Sequence, residues 1–132
     1  MATVQTHKDL IVWRKAVLLA SRIYELTARM PRSDGYALSD QMRRCALSVA
    51  SNIAEGAVRG SRTEYIRFLN IARGSLSELE TQVYICRDLH LIDADSMLEE
   101  LVAEVGRLLT ALIHRLREHR DRSRSFEPHR RL

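Results

Sequence analysis

Residues 61–90 read SRTEYIRFLNIARGSLSELETQVYICRDLH. Tyr65, Phe68, Leu69, Ala72, Leu76, Leu79, Val83 and Cys86 recur at spacings of three or four, which keeps one apolar stripe on a single face of an α-helix. Ser61-Arg62-Thr63-Glu64 at the head of the stretch fits a capping box, in which Ser and Glu satisfy free amides at a helix start. Gly60, just before it, suits the left-handed residue that ends a preceding helix. The spacing therefore predicts a helix over 62–90. Ile66, Ile71, Tyr84 and Ile85 fall off its stripe and need a further surface to cover them.

Working outward, the same period recurs on both sides. Leu38, Met42, Cys45, Val49 and Ile53 form the core row of a helix over 38–59, with Ser39 as its expected cap. Leu47, Ser51, Ala54 and Val58 make a second face on that helix. Gln41, Arg44, Ser48, Asn52, Glu55 and Arg59 run between the two faces as a polar seam, the pattern of a helix sandwiched between neighbours. Further upstream, Leu10, Trp13, Val17, Ala20 and Tyr24 lie beside a second row of Val12, Leu19, Ile23, Leu26 and Met30, predicting a helix over 7–30. The combined apolar arc approaches about 200°, wider than the stripe of an ordinary surface helix. Pro31 and the Ser33-Asp34-Gly35 cluster read as the break after it.

Downstream, a break over 91–95 leads to Leu98, Leu101, Val102, Val105, Leu108, Leu109, Leu112, Ile113 and Leu116, the stripe of a helix over 96–119. Ser96-Met97-Leu98-Glu99 is its expected capping box. Beyond His119 the apolar pattern stops, and residues 120–132 hold five Arg against two acids. Four amphipathic helices with short links predict an all-α, up-down-up-down antiparallel four-helix bundle over residues 1–119. Residues 120–132 are expected to form a basic, disordered tail, because too little apolar surface remains to offset chain entropy.

Composition agrees with one domain. The chain has 132 residues, 45% hydrophobic and 29% charged, with five Gly and two Pro, which excludes a collagen-like, low-complexity or wholly disordered chain. No window reaches the ~18 consecutive apolar residues of a membrane span, and MATVQTHKDL lacks the basic and apolar regions of a signal peptide. Cys45 and Cys86 have no metal-ligand spacing and read as reduced thiols in a cytoplasmic protein.

The residue patterns of catalysis are missing. The residues three positions before His7, His90, His114, His119 and His129 are Val4, Arg87, Ala111, Leu116 and Phe126, so the Glu-x-x-His pairs of a di-metal bundle are absent. His114 and Glu118, four apart, read as an exposed helical pair rather than as metal ligands. No GxSxG, HExxH, GxGxxG or phosphate-loop pattern occurs. The expectation is a non-enzymatic protein with no catalytic residue, no cofactor and no metal.

Charge placement is more informative than net charge, which is +4. Arg43, Arg44, Arg59, Arg62, Arg67 and Arg73 face only Glu55 and Glu64 across residues 43–73. Residues 88–104 carry six acids and no Lys or Arg. The six arginines are the candidate nucleic-acid-binding residues, since a guanidinium matches phosphate in shape and charge. A contact between subunits, or ordinary solvated surface, explains the same pattern. Aromatic residues are not expected to line this basic surface, so base-stacking recognition of the RRM or OB type is unsupported.

Asp9-Leu10-Ile11-Val12-Trp13-Arg14-Lys15-Ala16 resembles the opening of the four helix bundle protein family, first recognised as proteins encoded in intervening sequences of bacterial 23S ribosomal RNA genes. Leu38-Ser39-Asp40-Gln41-Met42-Arg43-Arg44-Cys45 and Ser48-Val49-Ala50-Ser51-Asn52-Ile53-Ala54-Glu55-Gly56 resemble its most characteristic segment. Glu64-Tyr65-Ile66-Arg67-Phe68-Leu69, Ile71-Ala72-Arg73-Gly74-Ser75-Leu76 and Glu78-Leu79-Glu80-Thr81-Gln82 continue the match, which spans about residues 8–118. The resemblance implies a small cytoplasmic bundle whose relatives assemble as five-membered rings. It also implies kinship with accessory proteins of diversity-generating retroelements, which bind nucleic acid and a reverse transcriptase through a basic surface.

The resulting expectation is a homo-oligomer, a pentamer, whose off-stripe apolar rows on the first three helices supply the interface. Its partners are itself and RNA or DNA, with no membrane. The alternative is a protein–protein assembly scaffold that binds a protein partner and no nucleic acid.

Overall fold

The computed structural model describes residue 7 and residues 10–125. Among them, four helices account for the fold: α1 (Ile11–Ala28), α2 (Arg32–Ala57), α3 (Arg62–Asp88) and α4 (Ser96–Ser125). Each packs on the next, and α1 closes the ring by packing on α4, so the arrangement is an up-down-up-down antiparallel bundle. The α2–α3 contact is the most extensive and the α1–α4 contact the least.

The α2–α3 and α3–α4 links are short, and stop signals stand at both ends of each. Gly60 adopts φ 75°, the left-handed conformation expected of it. Ser61 then caps α3, its Oγ accepting from the Glu64 amide at 3.3 Å. The reciprocal half of the box is not made, because the Glu64 carboxylate turns outward to Arg67. At the far end of α3, the Leu91 amide donates to Cys86 O at 2.9 Å and the His90 amide to Arg87 O at 3.0 Å. These two bonds close a Schellman motif, with His90 in the left-handed position at φ 59°.

Three helix ends differ from the sequence reading. The second helix begins at Arg32, directly after Pro31, and runs through 33–35, so Ser39 lies inside α2 rather than capping it. Ser and Asp are tolerated in a first turn, and one interior Gly costs only about 1 kcal/mol, which packing overrides. The cap of α4 is Asp95, whose Oδ1 accepts from the Leu98 amide at 3.0 Å, while Glu99 pairs with Arg87 instead of closing a box on Ser96. Finally, α4 continues six residues past His119 to Ser125. Those residues contain no Gly or Pro, and Pro128 is the first breaker downstream. The rest of the basic tail, 126–132, lies outside the described residues.

The core contains the stripes of α2, α3 and α4 as expected: Met42, Val49 and Ile53 meet Leu69, Leu79, Val105, Leu109 and Ile113. On α1 the roles of the two rows are settled by packing. Val12, Leu19, Ile23, Leu26 and Met30 are buried with Ala16 and Ala20, whereas Val17 is 38% and Tyr24 40% exposed. Ile66, expected off the stripe of α3, is buried. Ile71, Tyr84 and Ile85 remain exposed, as do Leu47 and Val58 on α2.

Polar groups stitch α2 to α3 along the seam. Cys45 Sγ donates to Glu78 Oε2, and Ser48 and Ser75 share a hydrogen bond at 2.8 Å. Burial, reinforced by the Glu78 carboxylate, pushes the Cys45 thiol up to about 11. Both cysteines are free thiols, Cys86 lying 3.5 Å from Met42 Sδ. Near the end of this seam α2 and α3 approach closely at Gly56, where a Cβ would stand 2.8 Å from Phe68 Cβ.

Candidate nucleic-acid interface

The close approach at Gly56 sets the geometry of the α2–α3 turn. It lets the chain pass from Val58 through Gly60 into Ser61 within four residues, and it brings Arg59 over Phe68. The Arg59 guanidinium carbon lies 4.9 Å from the Phe68 ring centroid and that of Arg67 lies 4.5 Å from it. Each guanidinium is also held by a carboxylate: Arg59 by Glu55, and Arg67 by Glu64 through Nε at 2.8 Å and Nη2 at 3.2 Å. The Arg67 hydrogen bond holds the Glu64 carboxyl below its usual range, with the charges of Arg67 and Arg59 adding to it. Arg62 is exposed on the first turn of α3 and makes no ion pair among the described residues.

The other three candidates lie elsewhere. Arg43 is half-buried and structural: its Nε donates to Thr27 Oγ1 at 2.8 Å, and its guanidinium covers the Tyr24 ring at 4.7 Å. Arg44 pairs with Asp40 at 3.1 Å. Both sit about 15 residues before Arg59 on α2, a separation of roughly 22 Å at 1.5 Å per residue. Arg73 donates to Asn70 Oδ1 at 3.1 Å and borders a groove of about 650 Å³ between α3 and α4, with Arg107 and His114 on the α4 side. The six arginines therefore form three groups, not one patch.

Bundle closure adds residues that the linear charge count overlooked. A Cβ on Gly106 of α4 would meet Leu76 of α3, which fixes the antiparallel register of these two helices. The same register brings Arg115 and Arg117 level with the first turns of α3, the two side chains leaving α4 on different faces. Burial pushes the Tyr65 phenol up, and the nearby charge of Arg115 opposes that shift. Arg115 and Arg117 are exposed and make no ion pair among the described residues. One end of the bundle thus collects Arg59, Arg62, Arg67, Arg115 and Arg117. The opposite end carries Asp88, Asp93, Asp95, Glu99 and Glu100 in and around the α3–α4 link, interleaved with Arg22, Arg29 and Arg87. Five arginines against two acids at 112–125 were a usable signal, but only with the pairing register in hand.

No group of three or more metal-ligating side chains occurs among the described residues, and His114 pairs with Glu118 at 3.0 Å on an exposed face. No helix among the described residues is long and apolar enough to cross a membrane.

The family model of the 23S rRNA-intervening sequence protein matches residues 8–111. The chain belongs to this family. Among solved structures, the 23S rRNA-intervening sequence fold seen here is similar to that of a protein of unknown function from the S23 ribosomal protein family of Bacteroides thetaiotaomicron. The TM-score is 0.72 and the identity 25%, over 78% of this chain and 98% of that one. No curated protein matches. The family description indicates no enzymatic activity. The match contains Asn52-Ile53-Ala54-Glu55-Gly56, and the structure gives its glycine a physical reason: Phe68 Cβ, Tyr65 Cδ1 and Tyr65 O of α3 leave no room for a side chain. The match ends before Arg115 and Arg117, so the α4 half of the basic end lies outside the matched region.

Proposed function

We propose that the protein is a non-enzymatic, cytoplasmic bundle that assembles with copies of itself and binds RNA or DNA through the basic end. The observation that carries this reading is the gathering of Arg59, Arg62, Arg67, Arg115 and Arg117 at one end of the bundle, three of them without an ion pair among the described residues. Clustered positive charge of this kind attracts a polyanion. Assembly is supported by the exposed apolar side chains of the first three helices, chiefly Val17 and Tyr24 on α1, Leu47 and Val58 on α2, and Ile71 and Ile85 on α3. The family resemblance makes five the expected number of copies. A cyclic ring sets equivalent ends side by side, so weak sites add through avidity.

Light scattering at micromolar concentration is expected to give a mass well above the 15.2 kDa of one chain. Fluorescence anisotropy with mixed-sequence RNA and DNA is expected to show binding at about 50 mM salt that weakens steeply towards 200 mM. Absence of binding at low salt, or binding unchanged by Arg62→Ala with Arg115→Ala, refutes the nucleic-acid reading. The exposed apolar residues on α3 favour the second reading, a scaffold for a protein partner. That reading expects a specific protein to be recovered after nuclease treatment, with no affinity for RNA or DNA.

A further inference from the structure

The arginines of the basic end are not equivalent. Arg62, Arg115 and Arg117 make no ion pair among the described residues, whereas Arg59 and Arg67 are each engaged by a carboxylate of their own chain. Resting on the reading that this end takes nucleic acid, we propose that Glu55 and Glu64 are internal competitors, occupying Arg59 and Arg67 until a phosphodiester strand displaces them.

Three features support the exchange. First, both pairs are open to solvent: the Arg59 and Glu55 side chains are 43% and 48% exposed, those of Arg67 and Glu64 54% and 40%. A phosphate group can therefore reach them without repacking the core. Second, both guanidinium carbons lie over the Phe68 ring, at 4.9 and 4.5 Å from its centroid, so each side chain keeps a cation–π contact when its carboxylate is lost. Third, the fork of Arg67 already grips two oxygens of one planar anion, at 2.8 and 3.2 Å, which is also how a guanidinium grips phosphate. The carboxylate thus mimics the ligand. Arg62, Arg115 and Arg117 supply the first attraction, and the positive N-terminal end of α3 adds to it.

Exposed pairs of this spacing are weak, so each carboxylate lowers affinity by only about 1.4- to 2.3-fold. Glu55→Gln with Glu64→Gln is accordingly expected to tighten binding of a labelled 20-nucleotide mixed-sequence strand by roughly two- to fivefold at low salt. The salt slope is expected to stay the same, because the number of phosphates neutralised does not change. The matched control is Glu25→Gln with Asp40→Asn. It removes the same two charges from pairs of the same spacing, Arg22–Glu25 and Arg44–Asp40, away from the basic end. All four substitutions are near-isosteric at exposed positions, and circular dichroism with light scattering verifies fold and assembly.

A gain confined to the Glu55/Glu64 variant, with the wild type binding at low salt, supports the competitor role. An equal gain in the control overturns it, since net charge alone then explains the change. Unchanged or weaker binding of the Glu55/Glu64 variant, with the wild type binding, also overturns it and leaves the nucleic-acid reading standing. If neither wild type nor any variant binds at low salt, the nucleic-acid reading itself fails and takes the competitor role with it.

Discussion

Gly56→Ala tests the close approach of α2 to α3. The added methyl would lie 2.8 Å from Phe68 Cβ, 3.0 Å from Tyr65 Cδ1 and 3.2 Å from Tyr65 O. Optimal carbon–carbon contact is about 3.5–4.0 Å, so α2 and α3 must separate by roughly 1 Å locally. Rotating a side chain cannot relieve this, because Phe68 Cβ and Tyr65 O move only with the α3 backbone. Overpacking of this kind costs about 1–3 kcal/mol, and two backbone-anchored neighbours place it near the upper end. Ala returns about 1 kcal/mol through its better helix propensity. The net expectation is a loss of ~2 kcal/mol, or roughly 7 °C in Tm for a domain of this size. Gly74 supplies the internal control, since a Cβ there meets nothing within 4 Å. Gly74→Ala should therefore gain about 0.5–1 kcal/mol. Urea and thermal denaturation followed at 222 nm measure both, at one fixed protein concentration because assembly contributes to apparent stability. A Gly56→Ala protein as stable as the wild type would refute the close approach of α2 to α3.

The helix ends give a second pair of opposite signs. His90→Gly is expected to raise stability by about 1 kcal/mol, because His90 holds a left-handed φ of 59° that glycine adopts without strain; Asp95→Ala is expected to lower it by a similar amount through loss of the α4 cap. A shift of either denaturation midpoint in the other direction contradicts the assigned caps. Arg43→Ala should cost ~1–2 kcal/mol, since Thr27 and the Tyr24 ring lose their partner, yet leave nucleic-acid affinity unchanged in the anisotropy assay. For Cys45, a thiol pushed up to about 11 leaves roughly one thiolate in a thousand at pH 8, so an aromatic disulfide reagent should modify it far more slowly in the native protein than in urea. Its raised folded value also fixes the sign with pH: the contribution to stability is whole below the ordinary thiol value of 9.0 and is lost as pH climbs through about 11. Rapid native labelling at pH 8 would contradict the buried, Glu78-bonded thiol.

What the residues alone determined is local in origin. Four amphipathic stretches, the Ser61 cap and the left-handed Gly60 follow from 3.6-residue periodicity and from orphan amides near a helix end, and these need no knowledge of the rest of the chain. Capping was misjudged where two residues competed. Asp95 and Ser96 are both good caps, and only the observed bond to the Leu98 amide decides between them. Likewise, Ser33-Asp34-Gly35 favours either a turn or a first helical turn, and the packing of α2 selects the second.

The bundle itself decided what depends on how the helices are rotated and registered against one another. The apolar arc of α1 is broad enough to permit several rotations, so its sequence did not reveal that Leu19 and Ile23 would be buried and Tyr24 exposed. The candidate site was legible only in its residue type. Arginines read along the chain grouped Arg43 and Arg44 with Arg59, Arg62, Arg67 and Arg73, although α2 carries the first two to the opposite half of the bundle. Antiparallel packing instead joins Arg59, Arg62 and Arg67 to Arg115 and Arg117, some fifty residues downstream. Electrostatic potential sums over distance in space rather than separation in sequence. The chain therefore states which charges exist, and the closure of the bundle states which of them act together.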